Sequence, residues 1–332
     1  MKESFYSRDF TSYQKKIMDF TLDAFKQDYG LGDVTTDALL EGAQVRGEIR
    51  AKEACVVCGL IEARTLFESA GIVVNVMVDE GEEIDPGSLI ITLIGNSREI
   101  IGRARTALDY LKVMSGIATK TRALDKKYPK KIATTRKSHP GLLLSEKRAV
   151  TMGGGFAHRI NLSDGYLVKK EHLVCFAFET YGFYSEEAKL NAMGEALKRI
   201  SIHREITKNK HLFVEVEVTS LEEAMVCLNA RKQYGIPHIL MIDNKNPDEF
   251  KKIVQEYRKE EDKFIQTQIP NVTPEMTPDM LDEKRTIIEA SGRISEENIE
   301  KYIKAGADVV SMSDLVLNAK PIDISMEIAK GD

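Results

Sequence analysis

Hydrophobic positions along the chain change their spacing twice. Residues 12–28 place Ile17, Phe20, Leu22 and Phe25 at helical intervals until Gly30-Leu-Gly32-Asp33 breaks the repeat. From Val45 to about Ile101 the pattern shortens to strands and turns, at Val45–Ala51, Ala54–Leu60, Ile72–Val78 and Ser88–Ile94, with a turn at Asp85-Pro86-Gly87. This stretch predicts a small, mostly β unit. Residues 101–124 predict a long helix with Ala104, Ala107, Leu108, Leu111, Met114 and Ile117 on one side.

Beyond that helix, six β-branched runs alternate with helical stretches: Lys131–Lys137, Gly165–Leu173, Leu212–Val218, His238–Asn244, Thr286–Gly292 and Asp308–Asp314. Such alternation predicts a parallel sheet, and its size predicts a barrel or partial barrel. The runs finish in polar or small residues: Arg136-Lys137, Lys169 to His172, Glu217, Asp243-Asn244, Ser291-Gly292-Arg293 and Ser311 to Asp314. In an α/β barrel those ends converge on one mouth, where the chemistry is built. Residues 264–285, with Pro270, Pro274 and Pro278, predict a surface excursion between two units.

Composition narrows the function. The chain has 332 residues and a formal net charge of −5, so no overall basic field draws it to nucleic acid or an anionic membrane. No window approaches the ~18 apolar residues of a spanning helix, and the opening Met1-Lys2-Glu3-Ser4 leads into no apolar signal sequence. A cytoplasmic protein is expected. Four cysteines are too few for a disulfide framework, and Cys55-Val-Val-Cys58, lacking a second ligand pair, predicts buried thiols.

Any anion site must therefore be local. Arg136, Lys137, His158, Arg159 and Lys169 fall within 34 positions, with Arg105 on the preceding helix as a sixth cation. Arginine matches carboxylate and phosphate bidentately, while lysine acts as a movable point charge. Glu217 and Asp243 end neighbouring strands and have the character of a Mg²⁺ site, since that ion uses one or two carboxylates plus substrate oxygens. Gly153-Gly-Gly155 and Ser291-Gly292 allow close backbone approach to an anion. Among the histidines, only His158 and His172 sit in the polar clusters. These residues alone leave other readings open, including a Schiff-base lyase using Lys137 or Lys169 and a non-catalytic binding protein.

The segments Gly32-Asp-Val-Thr-Thr36, Arg105-Thr-Ala-Leu108, Ser115-Gly-Ile-Ala-Thr119, Thr135-Arg-Lys137, Pro140-Gly-Leu142, Glu146-Lys147, Gly153-Gly-Gly-Phe-Ala-His-Arg159, Leu162-Ser-Asp164, Val168-Lys169, His172, Glu215-Val-Glu-Val218, Ile242-Asp-Asn244 and Ser291-Gly292 resemble, in order, the quinolinate phosphoribosyltransferase family. The resemblance implies an α/β fold with an N-terminal α/β sandwich, residues 1–112, and a C-terminal incomplete, TIM-like α/β barrel, residues 113–332. It also implies phosphoribosyl transfer from phosphoribosyl pyrophosphate to quinolinate with decarboxylation, Mg²⁺ as cofactor, and a homodimer with shared sites. Arg105 would reach the partner's site, while Arg136, His158 and Arg159 would hold the quinolinate carboxylates. Lys137, Lys169, Glu217 and Asp243 would be catalytic, the two carboxylates also holding the metal. His172, Ser291, Gly292, Arg293, Ser311 and Ser313 would contact substrate.

Several positions depart from the family pattern: Leu143 replaces arginine, Ala157 replaces asparagine, and Glu171-His172 stands where Asn-His is usual. Arg293 and Ser313 occupy places where glycine usually lets the backbone wrap a phosphate. Transfer to another pyridine or azole acid is the alternative these changes suggest.

Overall fold

The computed structural model describes residues 9–268 and 285–329. The excursion carrying Pro270, Pro274 and Pro278, and the opening Met1-Lys2-Glu3-Ser4, lie outside the described residues. The described chain divides into two compact units, one of residues 9–157 with 313–329 and the other of residues 158–268 with 285–312.

The first unit contains strands β1 (Gln44–Ala51), β2 (Cys55–Val56), β3 (Val73–Val76), β4 (Glu83–Ile84), β5 (Leu89–Asn96) and β6 (Ile132–Thr134). Its helices are α1 (Gln14–Tyr29), α2 (Val34–Leu39), α3 (Leu60–Glu68), α4 (Ser97–Lys127) and α5 (Leu143–Met152). The last strand of the chain, β12 (Ile324–Ala329), pairs antiparallel with β1 to give a sheet in the order β12-β1-β5-β3. One face of that sheet packs Ile49, Ile91, Leu93 and Ile324 with Leu66, Phe67 and Leu111 of the helices, all buried. Burial of each such side chain contributes about 1.5–3 kcal/mol, which is what holds a strand from the far end of the chain in place.

Helix α3 corrects the sequence reading, which placed a strand over Ala54–Leu60. The strand stops at Val56, and Leu60, Ala63, Leu66 and Phe67 line the buried face of a helix. Glu80 supplies the start signal from a distance: its carboxylate accepts the N–H groups of Gly59 (2.8 Å) and Leu60 (3.1 Å). Those donors would otherwise be orphaned at the helix N-terminus.

Two of the motifs quoted above are structural fastenings. The Asp33 carboxylate accepts from the N–H of Thr35 (3.1 Å) and Thr36 (3.0 Å), capping α2. On α4, Ser115 Oγ accepts the Cys58 N–H at 3.0 Å and donates to the Cys58 carbonyl at 3.1 Å, while Thr119 Oγ accepts the Val56 N–H at 2.8 Å. Cys55 and Cys58 are buried thiols, and burial pushes Cys55 up to about 11. The residue predicted to divide the domains, at 112/113, falls inside α4, which extends as a single helix to Lys127.

The second unit carries β7 (Gly165–Val168), β8 (Phe213–Val218), β9 (Ile239–Asp243), β10 (Ile287–Ser291) and β11 (Val309–Met312). Each pairs in parallel with the next, in sequence order. Between them run α6 (Lys170–Tyr181), α7 (Glu186–Ile206), α8 (Leu221–Tyr234), α9 (Pro247–Gln268) and α10 (Ile299–Lys304). The strands are buried almost throughout, as expected where helices cover a parallel sheet. The fold is α/β with an incomplete, TIM-like barrel. No helix of the described residues is long and apolar enough to cross a membrane.

Gly116 tests how the chain's end is fastened. A Cβ there would overlap the Lys320 carbonyl oxygen and crowd Pro321. Gly116→Ala is therefore expected to cost about 2 kcal/mol or more in chemical denaturation. A loss below about 0.5 kcal/mol would show that this close approach carries no weight.

Candidate active site

Side chains alternate between the faces of a strand, and the parallel register decides which residues share a face. Glu215 lies beside Leu167 and Ile239, Glu217 beside Met241, Asp243 beside Ser291, and Glu289 beside both Met241 and Val309. One face of the five strands therefore carries Glu215, Glu217, Asp243, Glu289, Ser291 and Ser311. The same register, carried one step past Val168, places Lys169 next to Glu217. Hydrophobic partners occupy the other face.

At the C-terminal edge, Lys169 Nζ lies 3.7 Å from Glu217 Oε2, and the Glu217 side chain is only 14% exposed. Burial, and after it the charge of Asp243, hold the Glu217 carboxyl above the ordinary carboxylate range against the pull of Lys169. Two carboxylates thus press on each other with one lysine at hand. Asn244, in the left-handed region at φ +51°, donates from Nδ2 to Asp243 Oδ2 at 2.6 Å. Its backbone N–H donates to the Ser291 carbonyl at 3.1 Å.

Gly292 is required here. It has φ +91°, and a Cβ would come 2.7 Å from the Asn244 nitrogen. Arg293 lies in the left-handed region at φ +52°. Its carbonyl accepts from Asn298 Nδ2 at 3.1 Å, and its side chain is exposed. The Ser311 hydroxyl is buried and has no hydrogen-bond partner among the described residues.

Of the other predicted residues, His172 caps α6, its Nδ1 accepting the Lys169 N–H at 3.0 Å. This cap ends the strand predicted over Gly165–Leu173 at Val168. Arg159 is buried, with Nη1 donating to the Gly165 carbonyl at 3.2 Å. His158 is buried and turns Nε2 toward Glu215 (3.0 Å) and Glu289 (3.5 Å).

Arg105, Arg136, Lys137 and Ser313 belong to the first unit. Arg136 and Lys137 are exposed just after β6, the Lys137 N–H donating to Thr135 Oγ1 at 3.1 Å. Arg105 is exposed on α4, 3.7 Å from Asp109. Ser313 precedes the short helix α11 (Asp314–Leu317), where its carbonyl accepts the Val316 N–H at 3.1 Å.

The sequence motif Glu146-Lys147 gave neither residue a role, and the structure supplies one for each. Glu146 is fully buried and accepts the His139 N–H at 3.1 Å, tying down the loop that follows Lys137. Lys147 donates to the Ala157 carbonyl. Glu215 stands in a quoted motif with no role given to it, and Glu289 stands in none. Their signal is a glutamate at an interior-facing position within an apolar strand, where an ionisable group is rarely tolerated.

The carboxylate pair has a pH-dependent consequence. A carboxyl whose pKa is raised in the folded state costs stability at pH above that value, and the cost fades as pH falls through it. Asp243→Asn removes the repelling charge, so the variant is expected to melt about 1–3 °C higher than wild type at mildly alkaline pH. The gain should shrink on acidification in parallel calorimetric scans. An equal or lower melting temperature at alkaline pH contradicts the pairing.

Comparison with known proteins places these residues in a family. The quinolinate phosphoribosyl transferase N-terminal domain matches residues 33–115, and the C-terminal domain of the same family matches residues 117–327. A probable nicotinate-nucleotide pyrophosphorylase (carboxylating) of Methanocaldococcus jannaschii is 33% identical, covering 95% of this chain and 99% of the relative. Its counterpart in Methanothermobacter thermautotrophicus is 30% identical, covering 94% and 99%. Among solved structures, the nicotinate-nucleotide pyrophosphorylase of Francisella tularensis superposes with a TM-score of 0.74 at 26% identity, covering 95% of this chain and 97% of that one. With both domain families matched in order and along almost the whole described length, this chain belongs to the quinolinate phosphoribosyltransferase family.

Proposed function

We propose that this chain transfers the phosphoribosyl group of phosphoribosyl pyrophosphate to quinolinate and releases CO₂, giving nicotinate mononucleotide and pyrophosphate. It is then a pentosyltransferase serving NAD biosynthesis. The observation that carries the reading is the single face of parallel strands bearing Lys169, Glu217 and Asp243 at its C-terminal edge. Family membership joins this geometry to the named activity of the relatives.

The residues fit a divalent cation. Glu217 is raised by burial and by the charge of Asp243, a repulsion that a bound cation would relieve. Mg²⁺ would be held by these two carboxylates and would neutralise the leaving pyrophosphate. The chain's own groups do the rest. As the bond from the anomeric carbon to pyrophosphate breaks, positive charge grows on the ribose, and the carboxylates stabilise it. Lys137 and Lys169 take the oxygens of substrate and pyrophosphate, while Arg136 and Arg159 serve the two quinolinate carboxylates and His158, whose two ring nitrogens face protein groups, supports Arg159 from behind.

The quinolinate nitrogen forms the new bond and becomes cationic. The carboxylate beside it then leaves as CO₂, its electron pair staying on the ring carbon, which takes up a proton. No lysine nucleophile is needed. Ser291, Gly292, Arg293, Ser311 and Ser313 are assigned to phosphate, with Arg293 adding a charge where the family has only backbone. His172 is assigned to substrate through its place beside Lys169. A two-domain subunit divided near residue 112, a homodimer in which Arg105 serves the partner's site, and a cytoplasmic location complete the proposal.

Purified protein given quinolinate, phosphoribosyl pyrophosphate and Mg²⁺ is expected to form nicotinate mononucleotide and CO₂ in equal amounts. Lys137→Ala and Lys169→Ala should each lower kcat/KM by about a hundredfold or more while leaving the melting curve nearly unchanged. Absence of nicotinate mononucleotide at neutral and mildly alkaline pH rejects the proposal. Product without CO₂ would point to a different acid acceptor.

A further inference from the structure

Among the described residues, His158, Glu215 and Glu289 form a compact ionisable cluster in which the proposed chemistry gives the two glutamates no part. Their candidate ligand atoms lie within 4.8 Å of one another. All three residues are buried, the two glutamates completely. Contacts on three sides fix the imidazole. Its ring meets the edge of Phe213, with centroids 6.0 Å apart and planes at 87°. Phe213 can lie so close to β7 because residue 165 is glycine, where a Cβ would come 2.6 Å from the ring. On one side of the imidazole, Nε2 faces Glu215 at 3.0 Å and Glu289 at 3.5 Å. On the other side, Nδ1 accepts the backbone N–H of Arg159 at 2.7 Å.

The last contact decides what the cluster is for. An imidazole whose Nδ1 accepts a hydrogen bond carries its proton on Nε2, so Nε2 donates to the carboxylates. A metal ion would need the Nε2 lone pair, which this tautomer does not offer. The cluster is therefore a hydrogen-bonded chain leading from two buried glutamates through the ring to the Arg159 backbone. His158 sits at φ +55°, a conformation that a non-glycine residue keeps only when its surroundings enforce it. The Arg159 guanidinium is held at its far end by the Gly165 carbonyl.

We propose that Glu215 and Glu289 are positioning residues for Arg159: through the His158 imidazole they hold the turn that aims the guanidinium at a substrate carboxylate. The carboxylate is that of quinolinate, so this role rests on the function proposed above. Arginine binds a carboxylate through a planar fork, and a displacement of about 1 Å can cost a hundredfold in rate. Glutamates that never touch the acid thus set its affinity.

Two measurements test this. In steady-state kinetics, Glu289→Met keeps the side-chain volume but removes the acceptor. It is expected to raise the quinolinate KM about tenfold or more while changing the phosphoribosyl pyrophosphate KM by less than about threefold. Glu289→Gln, whose amide oxygen still accepts from Nε2, should restore the quinolinate KM to within about threefold of wild type. An unchanged quinolinate KM in Glu289→Met, an equal rise in both KM values, or a failure of Glu289→Gln to do better would overturn the role.

The second measurement needs neither a variant nor a substrate. Nitrogen-15 chemical shifts of His158 in the wild-type protein are expected to show a protonated Nε2 and a hydrogen-bond-accepting Nδ1. A proton on Nδ1, or a metal-bound shift after dialysis against Zn²⁺, would overturn the chain of contacts. Wild-type protein that does not turn over quinolinate would defeat the proposed function instead, and the nitrogen shifts would still decide the geometry.

Discussion

Glu217 and Asp243 end adjacent strands of the barrel unit, where burial first and the charge of Asp243 second hold the Glu217 carboxyl above its ordinary range. Two negative groups at adjacent strand ends, one of them mostly buried, raise the free energy of the ligand-free protein, and a lysine at 3.7 Å offsets only part of that. A site in this condition favours whatever brings positive charge to it, whether a metal ion or a ribose losing its pyrophosphate. Both carboxylates stand on buried inner strands, β8 and β9, each paired on both sides.

The backbone near these groups is as constrained as the charges. Asn244, Gly292 and Arg293 all occupy the left-handed region within two neighbouring strand ends. Gly292 has to be glycine because the Asn244 backbone leaves no room for a Cβ. Arg293 adopts a conformation that glycine would take more readily, at a cost of about 1 kcal/mol.

Much of this is legible in the sequence, and what is not has identifiable causes. The five strands of the barrel unit show as short apolar runs ending in polar residues, and alternation already places Glu215 and Glu217 on one face. Helix α3 is hidden because its N-terminal partner, Glu80, lies 20 positions away and carries no local signal. The pairing of β12 with β1 is hidden because it joins residues as far as 283 positions apart, Arg46 and Ala329. Glu289 escapes notice because a single glutamate in an apolar run looks like a strand with one solvent-facing position. Only the register, which brings it to His158, shows that it faces inward.

The most direct measurement is a double-mutant cycle on Glu217 and Asp243, read as kcat/KM for phosphoribosyl pyrophosphate in the presence of Mg²⁺. If the two carboxylates act as one unit on a shared positive charge, Glu217→Gln and Asp243→Asn each lose about a hundredfold or more, and the double variant loses little beyond the worse single one. Losses that multiply independently would mean that the two groups serve separate partners, and the account of the site built on their opposition would fail.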